Sequence, residues 1–297
     1  MIIDGGYRTA ASDSEFCFDA APQKSVLCTN CCRRKKREAN NMHTSRCNFK
    51  RFLQLALAVI FIVSFSTEAT TSEPPAKIRE LCHEFNVLNT AIRDRTVTKS
   101  LAKERFRTLT AEIRKEYYAA GGQDFAASDR VFPLHGYGYK AIGGSKGNGY
   151  QKGGYDYFDG NRHTGHPSQD IFIRDRQRRS LDDLTNKPVS VLSMTGGVVV
   201  AAENAWAAPS PLRGGKYLWI YDPTANALIY YAHNSRLLVA VGDLVKPGEI
   251  IAEVGRTGLN AHKRRSPSHL HLTYLAIVNG LPQPRNSYRE LLRSKLL

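Results

Sequence analysis

The spacing of apolar positions changes twice along this chain. From Ile78 to about residue 120 they recur every three or four residues: Ile78, Leu81, Phe85 and Leu88, then Leu101, Phe106, Leu109, Ile113 and Tyr117. That period predicts two amphipathic helices, broken near 94–98 and stopped by Gly121 and Gly122. Residues 123–150 lose the period and turn to glycine and tyrosine, as in GYGY at 136–139 and GGSKGNGY at 143–150. This is loop material, and it carries neither of the glycine motifs that cradle phosphate. Tyrosines there either line a groove or pack the loop down. From 189 onward short apolar runs alternate with turn residues: 191–192, 196–202, 217–221, 228–233, 237–241, 245 and 250–254. Turn signals every 8 to 12 residues, with no βαβ alternation, predict an antiparallel β domain preceded by an α-helical segment.

The N-terminal third reads differently. The unbroken apolar run at 52–65 follows Arg46, Lys50 and Arg51 and precedes the small polar stretch STEATTS at 66–72. That is the layout of a secretory signal with a cut after Ala69, and its core is shorter than the ~20 residues of a membrane span. Met42 would start an ordinary signal, so residues 1–41 are expected to be an over-extended start, 42–69 the signal, 70–122 the helical segment and 123–297 the β domain. The product is expected to be exported to the periplasm or cell envelope, with no stable membrane span after processing. Five of the six cysteines precede residue 70, leaving Cys82 and hence no internal disulfide. Cys28, Cys31 and Cys32 lack the second half of a zinc ribbon.

Candidate chemistry sits near the C-terminus. SHLHLTY at 268–274 alternates polar and apolar residues in a β-favouring run, so His269 and His271 project from one face. Alone, the pair reads more readily as a strand with two surface histidines. Upstream, GHPSQDIF at 165–172 supplies an imidazole and a carboxylate, His166 and Asp170, with His163 nearby; YAH at 231–233 ends a predicted strand. Imidazole and carboxylate suit a borderline ion such as zinc, and a third nitrogen from another strand would leave an open fourth position for hydrolysis.

In this order, with glycine-punctuated strands between, the three pieces resemble the LytM and lysostaphin type of zinc metallopeptidases. That family has the duplicated hybrid motif fold and cuts peptide bonds in bacterial peptidoglycan. The likeness covers about residues 130–288 and includes GRTG at 255–258 and NGLP at 279–282. The resemblance implies that His166, Asp170 and His271 hold Zn2+, that His233 and His269 are catalytic partners, and that peptidoglycan is the substrate. The chain departs from the family pattern at Ser168, where glycine is usual, in the charged approach AHKRRSP at 261–267, and in the long insert 174–187.

Two other readings compete. One keeps the fold without the reaction: an envelope protein that binds cell wall or activates another hydrolase. The other rests on 241–255, which resembles the hybrid motif of sugar-transport phosphocarriers and lipoyl domains; the export signal and the H-x3-D pair weigh against it. Charge narrows the partner. The formal charge is +15, and removing the ten basic and six acidic residues before residue 70 leaves about +11. An anionic partner fits, but the basic residues are scattered without a nucleic-acid-binding signature, so nucleic acid is not expected. Oligomeric state is left open.

Overall fold

The computed structural model describes residues 75–297. The expected signal at 42–69, the start at 1–41 and the early cysteines lie outside the described residues. Among the described residues no helix is long and apolar enough to cross a membrane.

Among the described residues two helices come first, α1 (Ala76–Asp94) and α2 (Lys99–Ala119). Arg95 ends α1 in the left-handed conformation, and Thr98 caps α2 by accepting from Leu101 N at 3.4 Å. Ile78, Leu81, Phe85, Leu88 and Ile92 form the buried stripe of α1. On α2, Leu101 is 49% exposed and Ala102 takes its expected place beneath. The Thr98 cap fixes the phase of the first turn and turns Leu101 to solvent.

Nine strands follow: β1 (Ser168–Phe172), β2 (Ser190–Leu192), β3 (Gly197–Glu203), β4 (Lys216–Asp222), β5 (Ala227–Leu237), β6 (Leu244–Val245), β7 (Ile250–Val254), β8 (His269–Val278) and β9 (Leu281–Arg285). A short helix, α3 (Tyr288–Arg293), closes the fold. Pairing is antiparallel throughout, in the order β1-β8-β5-β4-β3-β6, with β9 on β8 and β7 bridging β2 and β5. The mainly β architecture behind a helical segment is therefore as the sequence pattern predicts.

Strand alternation divides the core in two. Val198, Val200, Tyr217, Trp219 and Tyr221 face the helices; Val199, Leu218 and Ile220 face a second layer that includes Phe132, Leu134 and Ile142 from the glycine-rich segment. Phe106 sits at the first interface, its ring 5.6 Å from those of Phe85 and Tyr157 and 5.8 Å from that of Phe158. Cys82 is a buried member of that core, and burial pushes its thiol up to about 12.

Two strand expectations are corrected. The run at 237–241 is not a strand: β5 carries on to Leu237, and the chain then turns, with Ala240 N donating to Asp243 Oδ2 at 2.7 Å. Nor does His233 end its strand. It lies inside the eleven-residue β5, at a register shift against β4, with φ +66. The strand leaves β8 after the pair Ala232↔His271 and joins β7 at Asn234↔Val254, and this change of partner puts the bulge there.

Candidate functional site

Register alone gathers most of the site. In the β1–β8 ladder Asp170 lies opposite His271, Ser168 opposite Thr273 and Phe172 opposite His269. Positions two apart share a face, so these six side chains emerge together. His166 precedes β1 and is held in a two-way backbone bridge, its N donating to Gln151 O at 2.6 Å and its O accepting from Gln151 N at 2.7 Å. The β5 bulge then adds His233.

The result is a cavity of about 350 Å³ lined by His166, Asp170, His233, His269 and His271. Ligand atoms of His166, Asp170 and His271 lie within 4.8 Å of one another. Asp170 Oδ1 is 3.3 Å from His166 Nε2, 3.0 Å from His271 Nδ1 and 3.9 Å from His269 Nε2. The His233 ring stands 4.9 Å from that of His269 and 5.4 Å from that of His271.

Backbone carbonyls fix which nitrogen each imidazole presents. His166 Nδ1 donates to Gly149 O at 2.9 Å, His233 Nδ1 to Thr257 O at 2.8 Å and His269 Nδ1 to Pro267 O at 2.9 Å. Each of these three rings therefore offers Nε2 to the cavity. His271 is turned the other way, with Nδ1 toward Asp170 and Nε2 2.7 Å from Ser168 Oγ, which is itself 2.6 Å from Thr273 Oγ1. The serine at the family's usual glycine position thus anchors a candidate ligand.

Charge follows this packing. Burial would raise the Asp170 carboxyl, but the hydrogen bonds from His166 and His271 outweigh it and hold it far below the usual carboxylate range. The same carboxylate raises His166. Burial lowers His271, and lowers His233 further with the help of the neighbouring imidazoles, so His233 is neutral at physiological pH. His163 also lines the cavity, and burial and then the Arg213 charge push it down to about 4.

The GRTG turn has a structural account. Thr257 O holds His233, while Thr257 Oγ1 accepts from Lys216 N and donates to Asn234 O, both at 2.8 Å. Gly258 has φ +112, and a Cβ there would lie 2.9 Å from His233 Nδ1. The insert 174–187 is pinned by two aspartates: Asp175 accepts from Ser268 Oγ at 2.6 Å, next to the H-x-H strand, and Asp182 accepts from Tyr137, Arg174, Leu184 N and Thr185 N.

Sequence reasoning missed Ser168 and Thr273 as partners of His271, Arg213, and the contribution of α1, whose Asn89, Ile92 and Arg93 form part of the cavity wall. Tyr155, Tyr157, Tyr217 and Tyr230 reach the cavity, whereas Tyr137 packs the loop down onto Asp182. Only Ser168 left a signal in the sequence, as a departure from the family pattern.

Residues 179–282 match the family model for peptidase family M23. Residues 179–282 carry a peptidase family M23 domain. The matched stretch contains His233, His269 and His271; His166 and Asp170 stand just upstream, and Asp170 joins it through the β1–β8 register. A curated relative, the lipoprotein NlpD/LppB homolog of Pseudomonas aeruginosa, is 39% identical over 80 residues, 26% of this chain and 27% of its own length. The chain thus spans about a quarter of that relative. Among solved structures, the catalytic domain of lysostaphin from Staphylococcus simulans is 25% identical over 40% of this chain and 75% of its own, with a TM-score of 0.29. LytM of Ruminococcus gnavus is 20% identical over 75% of this chain and 90% of its own, with a TM-score of 0.39.

Proposed function

We propose that this M23 domain is a zinc-dependent endopeptidase that hydrolyses amide bonds in the stem or cross-bridge peptides of peptidoglycan. The observation that carries the reading is the meeting of His166 and Asp170 with the sequence-distant His271 in one cavity, with His233 and His269 beside them.

The donor set fits zinc. Tetrahedral bonds of about 2.0–2.2 Å place ligand atoms roughly 3.3–3.6 Å apart, and the Asp170 contacts at 3.0 and 3.3 Å lie near that spacing. The second nitrogen of each ligating imidazole is also engaged, by Gly149 O or Ser168 Oγ, as metal-binding histidines require. Zinc held there supplies Lewis acidity toward water and a scissile carbonyl.

The remaining steps belong to the side chains. His233 and His269, each anchored through Nδ1–H, accept a proton at Nε2 while neutral and donate from Nε2 once protonated. The pair can therefore take a proton from the attacking water, donate toward the developing oxyanion and return a proton to the leaving amine. No serine or cysteine nucleophile is involved, and Cys82 is buried away from the cavity.

Export to the periplasm or envelope, through the signal at 42–69, completes the reading. Lys263, Arg264 and Arg265 are exposed beside the cavity-lining Ala261 and Ser266, so the basic charge lies where an anionic wall polymer would approach. All five site positions are filled, which favours the enzyme over a wall-binding protein without activity. Purified peptidoglycan and defined muropeptides, incubated with zinc-loaded protein and weighed by mass spectrometry, test this. Chelator-sensitive appearance of new peptide termini is expected; wall binding without cleavage would return the silent reading.

A further inference from the structure

The proposed reaction leaves one charged group of the cavity wall without a role. Arg213 lines the same cavity as His166, Asp170 and His233. Its backbone is held by a single side chain acting twice: Asn161 Nδ2 donates to Pro211 O at 3.1 Å, and Asn161 Oδ1 accepts from Arg213 N at 3.2 Å. Its guanidinium Nη1 donates to His163 O. Asn161 in turn rides on the 157–162 turn, which is pressed against the end of α1. A Cβ on Gly160, at φ +57, would come within 2.2 Å of Ile92 O and 2.7 Å of Arg93 O. Helix, turn and arginine therefore form one buttressed wall.

The cavity's other arginine is already neutralised. Arg93 pairs with Asp94 at 2.8 Å and with Glu203 at 2.7 Å. Among the described residues no carboxylate pairs with Arg213. A guanidinium offers five N–H donors in a planar fork, and one carbonyl satisfies only one of them. The group that matches the remaining fork in charge and shape is a carboxylate. The wall nearby is aromatic, with Tyr230 stacked on Trp219 at 4.4 Å, so a charge pair formed there is less screened than on open surface. Because Arg213 is fixed before any ligand arrives, little ordering accompanies binding.

We propose that Arg213 is a specificity-determining residue that binds a free carboxylate of the peptide held in the cavity, and that the α1–α2 hairpin serves the site by holding this wall in place. The inference rests on the reading that the cavity takes a peptide. The carboxylate comes from either of two sources, the chain-terminal carboxyl or a side-chain carboxyl, and both present the same group to the arginine.

Three matched muropeptides test it: one with both carboxyls free, one amidated at the terminal carboxyl and one amidated at the side-chain carboxyl. Binding is measured by calorimetry in the full-length His269→Ala protein, with and without Arg213→Gln or Arg213→Lys, alongside a thermal melt. One amidated peptide is expected to bind about tenfold more weakly than the free form, which identifies the carboxyl that is read. Arg213→Gln should erase that difference with the melt unchanged, and Arg213→Lys should restore part of it. Equal binding of all three peptides with Arg213 present, or a preference that survives Arg213→Gln, overturns the proposal. Should Arg213→Gln fail to fold, the comparison among peptides with Arg213 in place still decides. Hydrolysis by the unsubstituted protein is followed separately: a binding preference without hydrolysis removes the peptidase reading and leaves the carboxylate site, and hydrolysis without preference does the reverse.

Discussion

Ser168 Oγ lies 2.7 Å from His271 Nε2, and Thr273 Oγ1 lies 2.6 Å from Ser168 Oγ. The three residues form a chain across the β1–β8 ladder that turns His271 so that Nδ1 faces Asp170. Removing the serine hydroxyl leaves the buried Nε2 of His271 without a partner and frees the ring to rotate. Ser168→Ala should lower zinc affinity by about 10- to 100-fold. Competition with a chromophoric chelator measures this, and an unchanged affinity would mean that the hydroxyl does not orient the ligand.

The two histidines of the H-x-H pair should separate cleanly. His271 belongs to the group with His166 and Asp170, whereas His269 Nε2 stands 3.9 Å from Asp170 Oδ1 and is anchored by Pro267 O. His271→Ala is expected to abolish bound zinc and with it hydrolysis. His269→Ala is expected to retain zinc while losing at least about a hundredfold in rate. Metal content by atomic emission, read beside activity, decides; hydrolysis retained in both variants rejects the assignment.

Much of this arrangement was legible in the sequence because it depends on local periodicity. The stripes of α1 and α2, most of the strands from 197 onward, and the shared face of His269 and His271 follow from spacing within one element. The rest depends on which elements become neighbours. That Asp170 faces His271 is a matter of register between strands about a hundred residues apart, and no local pattern fixes it. His233 reaches the cavity because β5 changes partner from β8 to β7, which forces a bulge in a run that otherwise reads as plain alternation. Arg213 looked like one basic residue among many, since its role comes from Asn161 and from the helix behind it. Ser168 was visible only as a departure from a pattern.

The insert 174–187 should make stability sensitive to acid. Asp182 is buried, which alone would raise its carboxyl, but bonds from Tyr137, Thr185 N, Arg174 and Leu184 N outweigh burial and bring it to about 2. A folded pKa below the unfolded value contributes stability that is full above about pH 4 and is lost as pH falls through about 2. The contribution is about 2 kcal/mol near neutrality. Asp182→Asn should therefore be less stable than the parent at pH 7, and the gap should narrow toward pH 2. Chemical unfolding at a series of pH values checks this; a gap independent of pH would show that the carboxylate charge contributes nothing.

Phe106 tests whether the helices are part of the fold that carries the site. Its side chain is fully buried among Phe85, Tyr157 and Phe158. Phe106→Ala should cost about 3–5 kcal/mol, with a cavity left behind. Because Tyr157 also lines the cavity, the same variant should weaken peptide binding under conditions where it is still folded. A loss of stability with no change in binding would confine the hairpin to packing.

Gly258 lies where the geometry of His233 and Arg213 meets one backbone position. Its φ of +112 is unfavourable for any residue with a side chain, and a Cβ would lie 2.3 Å from Arg213 O and 2.9 Å from His233 Nδ1. The first contact is with backbone, so the substitution must shift either the 211–214 segment or the Thr257 carbonyl that anchors His233. Neither movement touches His166, Asp170 or His271. Gly258→Ala is therefore expected to keep zinc binding near the parent level and to lower kcat/KM by at least about tenfold through displacement of the imidazole. Metal titration and kinetics on one preparation separate the two effects. If zinc affinity fell in step with activity, the strain would be reaching the β1–β8 ladder, and His233 would not be the residue that the glycine protects.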